Sequence, residues 1–288
     1  MVCPRLPARK EGFSLVELLV VLALIGAVLG LLLPSVQRAR EAARRAACGN
    51  HIRQASLAVL QFENARRRFP AGCDHVPLGD TWPRGTLHAW SSFVLPYLEG
   101  TAVAASIDYG RPWNAPGGNA TASRRHLRMY VCPSAVLSYP GKSDYGGISG
   151  GWIPALSAGG DPPLIGLTNG ILVPVFEPAD HVVAASVTDG LSHTLMVAES
   201  TDRGPAAGEV SDPDDPFGRW AVHNCFAQTE PFINTPKSDI RSLHPRGSWA
   251  SFADGRTSFL DDSMEPEVLS AICSRNGGDV GLPAGRGR

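Results

Sequence analysis

Glu17 is the one ionisable side chain in the run from Phe13 to Leu33, which is otherwise apolar or glycine except for Ser14. A carboxylate inside a bilayer costs about 2.5–3.5 kcal/mol even on lenient insertion scales, and the positive end of a helix dipole returns only ~0.3–1 kcal/mol. Glu17 therefore needs a cationic partner, and a cut between Gly12 and Phe13 would create one, a new α-amine. A second candidate is His244, followed after nine intervening residues by Asp254-Gly255. A histidine base and an aspartate acid would still need a nucleophile held beside them, and no Gly-x-Ser-x-Gly elbow occurs. The preferred reading is structural, with Asp254-Gly255 making a turn and His244 hydrogen-bonding a loop backbone.

Metal chemistry has little local support. The eight histidines are scattered, with no His-Glu-x-x-His, and there is no Cys-x-x-Cys, so neither a metal centre nor another cofactor is expected. Asp212-Pro213-Asp214-Asp215 offers the carboxylates that a hard cation prefers, but without the regular spacing of a calcium loop; a solvated turn is expected there. Of the six cysteines, Cys3 precedes Gly12, while Cys48, Cys73, Cys132, Cys225 and Cys273 follow it. Five is an odd number. In an oxidising compartment at most two disulfides can form within one chain.

The elements that must position these groups can be read in order. The 21 residues Phe13–Leu33 would span about 30 Å as a helix, the thickness of a bilayer's hydrocarbon core. Residues 1–12 form a short basic leader with Arg5, Arg9 and Lys10. Residues 34–66 continue as an amphipathic helix, with Pro34 expected to kink the rod. Val36, Ala39, Ala43 and Ala46 recur at three- and four-residue steps, and Ile52, Ala55, Val59 and Phe62 can pack its second half onto a globular domain. Residues 67–288 make that domain. Gly 31 and Pro 24 in 288 residues favour turns and short strands there.

Trp90–Glu99 alternates weakly before Pro96, and Tyr130–Ser134 and Asp144–Gly147 read as short strand-and-turn material. Asp189-Gly190 precedes a strand at Thr194–Glu199. Ser248–Ala253, a two-residue Asp254-Gly255 turn and Arg256–Leu260 form the strongest hairpin signal. Removing residues 1–12 takes away three basic residues and one acid, leaving 23 and 26 and a net charge of −3, which argues against a nucleic-acid partner. The charges flanking the span do not fix its orientation, since Arg38, Arg40, Arg44 and Arg45 follow it as closely as the leader precedes it.

Gly12, Phe13, Ser14, Leu15, Val16 and Glu17, with the basic leader, resemble the class III signal of type IV prepilins and type II secretion pseudopilins. The resemblance implies that a membrane-embedded prepilin peptidase cuts after Gly12 and methylates Phe13. It also implies that Glu17 meets the amine of a neighbouring subunit during assembly. Ala42-Ala43-Arg44-Arg45 through Cys48 and Asn50, Phe69-Pro70, Leu95–Glu99, Cys132-Pro133-Ser134, Asp189-Gly190 with Ser192 and Thr194, and His244 with Asp254-Gly255 resemble one bacterial prepilin-like family. It is called domain of unknown function 1559, and its C-terminal signature is H-x9-DG. Leu191 and His193 depart from its pattern. Cys48 and Cys132 both lie in family-like segments and are the preferred disulfide, one that would clamp helix to β-domain.

The fold expected is α+β, a long N-terminal helix, transmembrane then amphipathic, packed on an antiparallel β-rich pilin-like domain. The function expected is that of an exported pilin-like or pseudopilin-like protein, and not an enzyme. Its expected partners are prepilin peptidase, membrane lipid, and copies of itself or other pilin-like subunits. It is placed in the inner membrane as a single-pass protein, N-terminus cytoplasmic before processing and globular domain outside or at the cell surface. The alternative is an anchored binding protein whose Trp82, Trp90, Trp113, Trp152, Trp220 or Trp249 recognises a solute or glycan.

Overall fold

The computed structural model describes residues 15–74, 87–135, 139–151, 169–175, 178–201, 219–221, 226–229, 233–234 and 240–277. The chain divides into two compact units, up to Ala43 and from Arg44 onward. Helix α1, Leu15–Arg66, runs through both and through Pro34 without ending. Proline removes one intrahelical donor, and the hydroxyl of Ser35 donates to the carbonyl of Leu32 at 2.7 Å beside it. The helix stops at Arg67, whose φ of 59° is left-handed and whose amide bonds Glu63 O at 2.6 Å.

In the first unit the apolar side chains of α1 are exposed on every side, from Leu15 at 74% to Leu31 at 78%. Among the described residues it is the one helix long and apolar enough to cross a membrane, with a mean hydropathy of 2.8. A helix apolar all round is stable where its surroundings are apolar too.

In the second unit α1 buries Cys48, Gly49, Ile52, Ala55, Ser56, Ala58 and Val59, with Phe62 packed at the core's edge. The contact face expected of Ile52, Ala55, Val59 and Phe62 is present, and the apolar positions before it, Val36, Ala39, Ala43 and Ala46, are exposed.

Seven strands follow: β1 (Cys73–Asp74), β2 (Tyr145–Gly151), β3 (Pro174–Val175), β4 (Leu195–Glu199), β5 (Phe226–Thr229), β6 (Gly247–Phe252) and β7 (Thr257–Asp261). The main sheet has the order β5-β2-β4-β6-β7, while β1 and β3 form a separate parallel pair. The main sheet is antiparallel except at one edge, where β5 runs parallel to β2. The two faces of the sheet feed two cores. Tyr145, Val197 and Trp249 pack with α1, whereas Ile148, Ala198, Ala250 and Phe252 pack with Leu269 and Cys273 of helix α5, Pro266–Cys273. Helices on both faces explain why β2 and β4 are buried throughout.

The region read as weak strand at Trp90–Glu99 is helical: α2 (Trp90–Phe93) and a 3-10 turn, Leu95–Tyr97. Trp90, Val94, Leu95 and Leu98 are its buried apolar residues, a spacing near 3.6 that overrides the apparent alternation. Tyr130 likewise ends a 3-10 turn, Arg128–Tyr130, and two further short helices, α3 (Thr101–Ala104) and α4 (Gly118–Ser123), lie between.

The Asp254-Gly255 hairpin is present with one more residue in its loop than expected. Ser251 pairs with Thr257 and the Phe252 amide donates to Arg256 O at 2.8 Å, so Ala253, Asp254 and Gly255 all lie in the loop. Gly255 donates to Phe252 O at 3.0 Å and has φ +89°. This is a type I turn closed by a left-handed residue, the usual three-residue hairpin.

Candidate functional site

Gly12 and Phe13 lie outside the described residues. Glu17 sits in the first turn of α1, within the exposed apolar stretch.

His244 and Asp254-Gly255 do not form one site. They lie at opposite ends of β6, whose six residues span roughly 20 Å at strand rise. Asp254-Gly255 joins the Asp189-Gly190 turn instead: Ala253 N donates to Thr194 O at 2.9 Å, Asp254 N to Leu191 O at 3.1 Å, and Arg256 Nη2 to Ser192 O at 2.8 Å. Asp189 is buried and accepts from Gly277 N at 2.7 Å and Ser274 Oγ at 3.4 Å. These two turns pin the loops at one end of the sheet and carry no reactive geometry.

At the other end of β6 the fold gathers four chemically active side chains. Cys48 comes from α1, Cys132 from the Cys132-Pro133-Ser134 turn, Glu199 from the last residue of β4, and His244 from the loop before β6. All four are buried, and one ligand atom from each lies within 4.8 Å of the others. His244 Nε2 is 3.6 Å from Cys132 Sγ and 3.5 Å from Glu199 Oε1. Local sequence missed this group because each member belongs to a different element. Glu199 had no signal beyond an acid ending an apolar strand.

Neighbouring groups fix each member. Glu199 Oε2 accepts from Trp249 N at 2.8 Å and Ser248 Oγ at 3.4 Å, whereas Oε1, fully buried, has no hydrogen-bond partner among the described residues. The Cys132 amide donates to Asp144 Oδ2 at 2.9 Å, and Asp144 Oδ1 pairs with Lys142 Nζ at 3.1 Å in the interior. Arg44 Nε donates to Ser134 Oγ at 3.1 Å, tying the turn to α1. The Trp249 indole donates to Arg45 O at 2.9 Å and lies flat against Gly49, where a Cβ would meet its Cε2 at 2.8 Å. Glycine at 49 is what lets β6 approach the helix beside Cys48.

The electrostatics single out Cys132. The Cys48 thiol donates to it, and His244 and the Ser134 amide also favour its charged form, so its thiol is held down to about 5 against the opposing cost of burial. Cys48, the donor, is pushed strongly upward, and burial pushes the Glu199 carboxyl up. The expected Cys48–Cys132 pair is therefore brought together, but as two adjacent free thiols and not as a disulfide. His244 presents Nε2 to Glu199 and Cys132.

The group does not have the geometry of a nucleophilic triad, which needs the orienting acid on one imidazole nitrogen and the nucleophile on the other. Here Cys132 and Glu199 converge on the same nitrogen. Such a set can hold a thiophilic cation or, on oxidation, close a disulfide.

Of the tryptophans, Trp90, Trp113 and Trp220 are buried and Trp249 is packed on Gly49 and Phe259; Trp82 and Trp152 lie outside the described residues, as do Cys225 and Asp212–Asp215. The crevice beside Trp113 and Trp220 has essentially no room even for a water-sized sphere, against the ~300–1,000 Å³ of small-molecule sites.

The family described as protein of unknown function (DUF1559) matches residues 37–267, and the prokaryotic N-terminal methylation motif matches residues 7–33. No curated protein and no solved structure matches the chain.

Proposed function

Because the chain belongs to the DUF1559 family and opens with a prokaryotic N-terminal methylation motif, making it a type IV pilin-like exported protein, we propose that it works as a structural or accessory subunit of a pilus-like or type II secretion-like assembly. Prepilin peptidase removes residues 1–12 and methylates Phe13. The apolar half of α1 then holds the chain in the cytoplasmic membrane, with the globular unit outside. In the assembled state the Phe13 amine of one copy meets Glu17 of its neighbour, so the buried carboxylate is neutralised between subunits. The role is assembly and not catalysis.

The observation that carries this reading is the coincidence of the motif with a helical surface that is apolar, exposed all round and acidic only at Glu17. A globular protein rarely leaves so large a contiguous apolar surface uncovered. The alternative, an anchored solute-binding or glycan-binding protein, draws less support, because three described tryptophans are core residues and the crevice beside two of them is small.

Cross-linking in intact cells tests the proposal. Wild-type chain is expected to form ladders of copies or of mixed pilin-like subunits, and Glu17→Ala is expected to be processed normally yet lose them. Ladders unchanged in Glu17→Ala, or absent from wild type, would contradict the assembly role.

A further inference from the structure

We propose that Cys48, Cys132, Glu199 and His244 form a four-coordinate structural site for a divalent thiophilic cation, zinc, that staples the second half of α1 to the sheet. The donor set is two sulfurs, an imidazole nitrogen and a carboxylate oxygen, and sulfur with nitrogen in a closed tetrahedral arrangement is the zinc preference. Their spacing fits. With metal–ligand bonds of about 2.0–2.3 Å, a tetrahedron has edges of roughly 3.3–3.8 Å; the Cys132 Sγ–His244 Nε2 and His244 Nε2–Glu199 Oε1 edges are 3.6 and 3.5 Å, and no two donor atoms are more than 4.8 Å apart.

Two features point to a ligand at the centre. Glu199 Oε1 is fully buried and has no hydrogen-bond partner among the described residues, a costly state for a carboxylate oxygen. Cys132 Sγ and Glu199 Oε1 also converge on a single imidazole nitrogen. A neutral or protonated ring has one N–H there and can satisfy one of them well, whereas a cation at the point of convergence satisfies all three.

The surroundings match a metal's outer layer. The Glu199 carboxylate is oriented by Trp249 N and Ser248 Oγ, and the Cys132 turn by Asp144; partners of this kind hold first ligands in place. In the bound state two thiolates and one carboxylate face the +2 ion beside a neutral imidazole, a net −1 instead of a loose set of buried ionisable groups, and any proton a ligand still carries leaves on binding. All four positions are filled by protein, so no site is left for substrate and the ion acts as a staple.

The test is the zinc content of the full-length chain, extracted in detergent without chelator and measured by elemental mass spectrometry, with X-ray absorption at the zinc edge. One zinc per chain is expected, with two sulfur neighbours at about 2.3 Å and two nitrogen or oxygen neighbours at about 2.0–2.2 Å. Cys48→Ser and His244→Ala are each expected to lose zinc at least ~10-fold, as loss of a ligand or its partners does, while Cys73→Ser, a buried cysteine outside the group, keeps it. If those variants fail to fold, cobalt exchanged into the wild-type chain decides the matter: tetrahedral cobalt–thiolate absorption supports the site and octahedral absorption overturns it. A Cys48–Cys132 disulfide in the isolated chain, or reduced chain that takes up no added zinc, would also overturn it.

Discussion

Between Leu15 and Val36 every leucine, isoleucine and valine of α1 is exposed, whereas from Cys48 to Val59 the same helix buries Cys48, Ile52 and Val59 completely. One regular element thus carries two kinds of information. The first stretch is defined by what surrounds it, and its chemistry is complete within 21 consecutive residues. The second is defined by what packs on it, and its chemistry requires partners from Cys132 to His244. The difference explains why the export signal reads from the primary structure alone while the cysteine group does not.

The sharpest way to break this comparison is to make one kind of truncation in both stretches. Ile52→Ala removes a fully buried side chain and is expected to cost ~2–5 kcal/mol; Ile25→Ala, at 49% exposure, is expected to leave unfolding of the globular unit within about 0.5 kcal/mol. Urea unfolding of the detergent-extracted chain, followed by tryptophan fluorescence, measures both. Equal effects would end the distinction between the two stretches.

Gly49→Val tests the close approach next to Cys48. Its Cβ would lie 2.8 Å from the Trp249 ring, so a loss of ~1–3 kcal/mol is expected, with a fall in tryptophan burial by fluorescence.

Away from the helix, Tyr109 gives a pH signature. Its hydroxyl donates to Ser92 O at 2.8 Å and its ring stacks on Phe93; burial, with Asp74 adding to it, pushes its phenol up to about 12. The folded state holds that proton more tightly than the unfolded state, so the group's contribution is complete below pH 10 and is lost as the pH rises through about 12. After discounting for partial exposure, wild type should lose about 1–2 kcal/mol relative to Tyr109→Phe over that window. Parallel curves for the two proteins would contradict the assignment.

The smallest effect is expected at the hairpin. Gly255→Ala places a side chain at φ +89° and against Leu60 Cδ1 at 2.8 Å, for a loss of about 1 kcal/mol, read as a shift in melting temperature.

How far the primary structure carried the fold follows from the range of each signal. The apolar run, the end of α1 and the Asp-Gly hairpin depend on neighbours within a few residues, and all are present. The hairpin loop is one residue longer than Asp-Gly alone implies because that pair suits both two- and three-residue turns, and only strand pairing selects between them. Trp90–Glu99 differs from its strand reading because ten residues interrupted by Pro96 are too few for the buried apolar positions, 90, 94, 95 and 98, to declare a helical period. The cluster needs ligands 84, 67 and 45 residues apart in succession. Family resemblance named Cys48, Cys132 and His244 for other reasons, and nothing local named Glu199.

The most direct measurement of the central claim is intact mass and N-terminal sequencing of the membrane-associated chain, in a host with prepilin peptidase and in the same host without it. The account predicts a chain beginning at methylated Phe13 when the peptidase is present and retaining residues 1–12 when it is absent. An intact Met1 in both hosts, or a cut near Leu33, would contradict it.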